Sequence, residues 1–493
     1  MPAGDRLVTL DDEYYVRKNA ISASNMSLGG IECNYQRVPI QENYLFDDIN
    51  KTFDLAFVEF SGKSGAVMDG RQLENVIDAI SNNEKVYVIT YIMGWRHNAD
   101  IANNDVRRFK TLLAYARHFL NQRGGTYSDH RLIGVFMGWR GQVFDEAELP
   151  AGKKSSLLEL AGAAATLKIS ENTSEKVAPF IYDALKKFDD ALDSKTTGNQ
   201  NKHLIVGHSM GGNVLATILN DCSNGSAGRH SCYSEAVKSH DAGSELEPIL
   251  GDLVVIVNPA AAAYKWINIQ RAVDARQTDG NRIFPDRQKP VYMAFTATAN
   301  WGSDETADGK KKTAPDDATR IFYPLYKSAT LNYGRESTVA IGHYFPKRGN
   351  HYGTSHDFIT NDGSKVKTEV AALANPANAR CDVNNGWLSK TRENSRRSTN
   401  PVSWDTGYRK NGLAYAYRDK KSVTYQFRSA QYFAFSPGKK IGNVEIAHEP
   451  YFNIPFWNIR AFESVINGHS GYVNYPFWCA VNQIVLDDIV AKH

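Results

Sequence analysis

His203–Leu215, HLIVGHSMGGNVL, is the stretch whose reading decides the rest of the chain. His203–Val206 reads as the end of a buried strand, Gly207–Gly211 as a G-x-S-x-G turn, and Gly212–Leu219 as the start of a helix. A strand that runs straight into a helix over so few residues holds its central residue in strained backbone geometry. Glycines two before and two after Ser209 let the strand and helix approach without a Cβ between them. The hydroxyl is lifted to the tip of the turn, and the helix N-terminus behind it favours developing negative charge. Ser209 is therefore the candidate nucleophile. The alternative is a strand–helix turn of an open sheet whose serine only caps the helix.

Working outward, apolar runs and helical periodicity alternate on both sides of this stretch. Phe53–Phe60 reads as a strand and Arg71–Ser81 as a short helix. Lys85–Ile92 is a near-continuous apolar run, as a parallel strand covered on both faces requires. Asn103–Leu120 is a helix, Arg131–Met137 a strand, residues 141–174 a mixed insertion, and Ser174–Leu192 a helix with a Ser/Glu start. Asp252–Val257 and Pro290–Thr298 are further strands. At the far end Pro455–Phe462 is strand-like, Val465–Gly471 a loop, and Tyr475–Val490 a closing helix. This order predicts an α/β fold, a mostly parallel central sheet covered by helices. The expected division is an irregular extension over 1–50, a core over 51–300 and 453–493, and a cap over 301–452.

The chain has 493 residues, 42% hydrophobic and 23% charged, with a net charge of +3, which by itself selects no partner. No run of about 18 apolar residues occurs, so no spanning helix is expected. The stretch 1–15 lacks the apolar centre of a signal peptide, which leaves the compartment open and leans it toward cytoplasmic. Five dispersed cysteines argue against a disulfide framework, although Cys222 and Cys232 are spaced to bridge one loop. Neither C-x-x-C nor His-x-x-x-His spacing occurs, so no structural metal is expected. Gly62-Lys63-Ser64 is read as a turn, because Phe57 stands where the first glycine of a phosphate loop would be. The net charge hides an asymmetry: residues 388–440 carry twelve Lys/Arg, three Asp/Glu and nine aromatics. Leu413–Tyr417 and Val423–Phe427 alternate there as a hairpin. The plain reading is a solvated β-rich excursion; the sharper one is a surface for anionic substrate or lipid headgroups. Nothing in it matches a nucleic-acid motif.

A serine nucleophile needs a base, an acid to orient the base, and donors for the oxyanion. In a strand–turn–helix serine fold the order along the chain is serine, acid, histidine. His469, in the loop after the last strand, is the expected base, with His343 as its rival; His208 points away from the serine by the geometry of the turn. The acid is expected just after Pro290–Thr298. Asp304 is the first carboxylate there, with Glu305, Asp308 and Asp316 as alternatives. The oxyanion donors are expected to be the backbone N–H groups of Met210 and of Trp95 or Gly94.

Taken together, Gly94–Ala99, Gly138–Gly141, Gly207–Gly212, Val257–Ala260, Phe456-Trp457 and Gly468–Ser470 resemble the α/β-hydrolases, and more narrowly a group of bacterial serine esterase-like proteins. The resemblance implies ester hydrolysis through an acyl-enzyme on a small-molecule or lipid ester, with large insertions forming a cap and no cofactor. Two positions depart from that pattern. Met93 stands where the group has a histidine, and the Asp-Trp-Ala-Thr-Arg run is split into Ala299-Asn300-Trp301 and Asp316–Arg320. An asparagine in place of the acid would orient His469 but stabilise its charged form poorly. Two alternatives therefore accompany the esterase reading: a lipase or phospholipase at an anionic membrane surface, and a non-catalytic binding protein on a hydrolase scaffold. Oligomeric state is not legible.

Overall fold

A computed structural model of the chain describes residues 35–39, 52–122 and 128–139, then 156–194, 201–220 and 232–297, with short breaks. Beyond these it describes parts of 323–343, the strands between 356 and 445 given below, and most of 454–486. The order is β1 (Tyr35–Pro39), β2 (Thr52–Phe60), α1 (Gly70–Ser81), β3 (Val86–Ile92), α2 (Asn104–Gln122), β4 (Arg131–Trp139) and α3 (Ser156–Asp193). The elbow follows as β5 (Lys202–His208) and α4 (Met210–Asn220), then α5 (Tyr233–Ser239), β6 (Leu253–Val257), α6 (Ala263–Arg276) and β7 (Tyr292–Ala297). After these come α7 (Arg335–Thr338), β8 (His356–Thr360), β9 (Leu413–Arg418), β10 (Thr424–Ser429), β11 (Lys440–Ile441) and β12 (Val444–Glu445). The chain closes with β13 (Phe456–Ala461) and α8 (Tyr475–Leu486).

One sheet takes the strands in the order β1-β2-β4-β3-β5-β6-β7-β13-β8-β10-β9. From β2 to β13 the neighbours are all parallel, which is the α/β architecture expected of an α/β-hydrolase. β3, β5, β6 and β7 are buried along their whole length, so helices must cover both faces. On one side α2 packs with α8, where Trp478 Nε1 donates to the Leu112 carbonyl at 2.7 Å. α3 packs on α1 and α4, and α4 on α6. No helix among the described residues is long and apolar enough to cross a membrane.

Three elements differ from the sequence expectation. The segment 1–50 contributes β1, antiparallel to β2 at the sheet edge, where Pro39 is tolerated because an edge strand leaves N–H positions unused. The second is α3, which begins at Ser156 and runs through Ser174, taking in much of the expected insertion 141–174. Ser174 does not cap: its hydroxyl donates to the Glu171 carbonyl at 2.6 Å within the helix and accepts from Asn213 Nδ2 at 2.8 Å. Third, strands from the stretch 301–452 lengthen the main sheet: β8 lies parallel beside β13, and β10 pairs antiparallel with both β8 and β9. The β9/β10 pair is the expected hairpin. Cys232 is buried and disulfide-bonded, whereas Cys222 lies outside the described residues.

The glycines of the elbow are set by backbone contact. A Cβ at position 211 would lie 2.1 Å from the Ile92 carbonyl oxygen and 2.7 Å from that of Met93. Backbone atoms cannot swing aside as a side chain can. Gly211→Ala gains about 1 kcal/mol of helix propensity but is expected to lose more to overpacking, for a net destabilisation of about 1–3 kcal/mol. Urea unfolding of the variant beside wild type measures it, and a stabilised variant would refute the close approach.

Candidate active site

In a parallel sheet all C-terminal strand ends lie along one edge, and the loops that leave them meet there. β5 sits between β3 and β6, with Ile92 paired to Gly207 and Val257 to His208. Ser209 follows at φ 55, a left-handed conformation that a residue with a side chain adopts only when neighbours impose it. Its N–H donates to the Val257 carbonyl at 3.0 Å, and its own carbonyl accepts from Ala260 at 2.9 Å and from Asn213 at 3.2 Å. Met210, the first residue of α4, is fully buried, so its N–H lies at the start of the helix beside the serine.

The loop after β3 closes on the same point. A Cβ at Gly94 would be 3.1 Å from the Ser209 Cβ and 3.2 Å from His208 Nδ1, so the loop passes the elbow with little room for a side chain. Trp139 Nε1 fixes the loop by donating to the Met93 carbonyl at 3.0 Å. Trp95 is partly buried against the core.

His469 also comes to the elbow. It follows β13 and Gly468, whose φ is 69. His208 Nε2 lies 2.9 Å from the His469 carbonyl oxygen, and the two rings are 4.7 Å apart between centroids. Asn258 Nδ2 donates to the carbonyls of Gly468 at 3.0 Å and His469 at 2.7 Å. The Asn258 Oδ1 accepts from Ala297 N–H, the last residue of β7, at 2.8 Å. Asn258 itself sits at φ 44, a conformation asparagine tolerates better than most residues. His343 lies elsewhere on this edge, in a buried turn where Ile341 N–H donates to the Ala261 carbonyl at 2.9 Å. Asp304, Glu305, Asp308 and Asp316 lie outside the described residues, as does Asn300.

Sequence reasoning met Asn258 only as part of the Val257–Ala260 stretch and set His208 aside. Both tie the histidine loop to the elbow. The available signal was an asparagine immediately after a buried strand, a place where a side-chain amide supplies hydrogen bonds the strand end lacks. A third group was missed altogether. Asp105, fully buried at the start of α2, accepts from the Tyr91 hydroxyl at 2.9 Å and from the Tyr472 hydroxyl at 2.9 Å. Tyr472 follows His469 by three residues and packs its ring 4.6 Å from that of His208. His97 Nε2 is 3.8 Å and Arg108 3.5 Å from the Asp105 carboxylate. Burial raises the Asp105 pKa, but the attraction of His97 and His208 and the two tyrosine hydroxyls outweigh it, and the net shift is downward. The same burial, with Asp105 alongside, pushes both tyrosines well above their ordinary range.

Burial, and then repulsion from His469, lowers His208 from 6.5 to about 3, so its ring is neutral at neutral pH. The unfolded chain takes up a proton on this residue as pH falls through 6.5, and the folded chain takes it up only near 3. The stability contributed by the neutral ring is complete above 6.5 and declines between those values at about 1.4 kcal/mol per pH unit. The stability difference between wild type and His208→Gln should therefore shrink at that slope between pH 6 and 4 in urea titrations; a pH-independent difference would contradict a neutral buried His208. Asn258→Ala removes three hydrogen bonds and leaves alanine at positive φ, and is expected to cost about 2–4 kcal/mol in the same assay.

No protein-family model matches this sequence, and no curated protein matches it. Among solved structures, a thermophilic esterase of the planctomycete Thermogutta terrifontis with propionate bound is similar over 50% of this chain and 70% of its own, at 11% identity and a TM-score of 0.19.

Proposed function

We propose that the protein is a serine hydrolase that cleaves carboxylic esters through an acyl-enzyme. The observation that carries this reading is Ser209 at φ 55 on the β5–α4 turn, with the His469 loop hydrogen-bonded to that turn. In the proposed cycle His469 takes the Ser209 proton as Oγ bonds to the acyl carbon. The oxyanion is received by the N–H groups of Met210 and Trp95, placed at a helix start and in the loop that touches Ser209. Collapse of the tetrahedral adduct breaks the ester C–O bond, and the proton passes from His469 to the leaving alcohol. Water, deprotonated by His469, then releases the acid and restores Ser209. Asp304 is the proposed acid that orients His469, and the stretch 301–452 the proposed cap over the acyl pocket. The substrate is a small-molecule or lipid ester. The basic stretch 388–440 would add affinity for anionic membrane if that ester is a lipid.

A fluorophosphonate probe tests the nucleophile directly. Wild type should be labelled stoichiometrically at Ser209, located by peptide mass spectrometry. Ser209→Ala should abolish labelling, and His469→Ala should lower turnover of a p-nitrophenyl ester by on the order of 10^4. Asp304→Asn should lower it by about 10^2–10^4 while Asp308→Asn and Asp316→Asn stay near wild type. A folded wild type that remains unlabelled and inactive on soluble esters and on anionic vesicles would sink the hydrolase reading in favour of a binding protein.

A further inference from the structure

The polar array behind the elbow holds more than a serine, a base and oxyanion donors require. His208 is buried between two rings, His469 at 4.7 Å and Tyr472 at 4.6 Å between centroids. Its Nε2 meets the His469 carbonyl at 2.9 Å. A carbonyl oxygen only accepts, so the Nε2 carries the proton and Nδ1 is left as a bare acceptor. That Nδ1 is buried, has no hydrogen-bond partner among the described residues, and faces Gly94. A buried acceptor left unpaired costs free energy. A phenylalanine would fill the same space without that cost, so the histidine is retained here for its donor at Nε2. Tyr472, anchored through Asp105 to α2, packs against the ring.

We propose that His208 is a positioning residue for His469: its Nε2–H clamps the His469 peptide to the residue preceding the nucleophile, so that one side chain and one hydrogen bond set the spacing of Ser209 and the base. This rests on the serine-hydrolase reading of Ser209 and His469. Asn258 holds the same carbonyl from β6, and the two donors together fix both the height and the rotation of the turn. A shift of about 1 Å in a reacting group costs on the order of 10^2 in rate.

The test separates ring from donor in the full-length protein. His208→Phe keeps the ring and loses the donor; His208→Gln loses the ring and keeps an N–H donor near the Nε2 position. With a p-nitrophenyl ester, His208→Phe should lower kcat by about 10–100-fold with KM within about twofold, and fluorophosphonate labelling should slow in step. His208→Gln should recover about tenfold of that loss. A His208→Phe variant with wild-type kcat, or a His208→Gln no better than it, overturns the clamp. NMR of histidine-labelled wild type supplies a readout that needs neither activity nor a folded variant. The His208 ring should show the Nε2–H tautomer, unchanged between pH 8 and 5, and an Nδ1–H tautomer would overturn the proposal. If wild type carries no label at Ser209 the hydrolase reading falls, while the tautomer still decides whether His208 holds the His469 turn.

Discussion

The left-handed backbone of Ser209 is the constraint from which the rest of the edge is arranged. An L-residue pays roughly 1–2 kcal/mol to sit there, so the surrounding structure must leave it no alternative. The N–H of Ser209 is taken by Val257 and its carbonyl by Ala260 and Asn213, which ties it to β6, to the segment after β6, and to its own helix. From the other side Gly94 and Gly211 bring the end of β3 to within van der Waals contact of the elbow. Each of these contacts depends on the register of β5 between β3 and β6. A slip of that pairing would move the turn out of reach of all of them at once.

Position along the strand decides which polar clusters can act. Thr90, His203 and Asp189 form an array with the residue types of a hydroxyl–imidazole–carboxylate triad, at 2.9 Å and 2.7 Å. His203 Nδ1 meets the Asp189 carboxylate and Nε2 the Thr90 hydroxyl, a pattern fit to hold β3, β5 and α3 together. It lies in mid-strand and at the start of β5, closed off from solvent, and Asp189 spends its second oxygen on Gly251 N–H at 3.1 Å. Ser209 differs by standing at the C-terminal edge, where loops leave the sheet. The same chemistry is thus a staple in one place and a candidate site in the other, and position along the strand makes the difference.

Most of the fold was legible because local physics and tertiary context agree there. The apolar runs of β3, β5 and β6 are buried on both faces, and continuous apolar character is what that burial demands. The G-x-S-x-G turn and the loop after β13 were legible for the same reason, a tight turn needing glycine and a last strand needing an exit. Ser174 was misread because a serine before a glutamate signals a cap locally, whereas here its hydroxyl serves Asn213 of α4 from mid-helix. Asp105, Tyr91 and Tyr472 were invisible for a different reason. Nothing in a sequence announces that a carboxylate on α2 and a tyrosine hundreds of positions later share a hydrogen bond, and each alone looks like ordinary helix or strand composition.

The order of assembly follows from where the site's parts lie in the chain. β13 enters the sheet beside β7 in parallel register, Phe456 opposite Tyr292, long after the elbow has been encoded. Pairing so remote in sequence closes late, because loop entropy is spent before the contact returns anything. The segments up to β7 supply the Ser209 turn and the Asn258–Ala297 hydrogen bond, whereas His469 and Tyr472 come only from beyond β13. Without them His208 would face an open slot, its Nε2–H without the carbonyl and its ring without its two neighbours. The loop after β13 fills that slot, so the strand that joins β7 to β8 is also the one that carries the base to the serine.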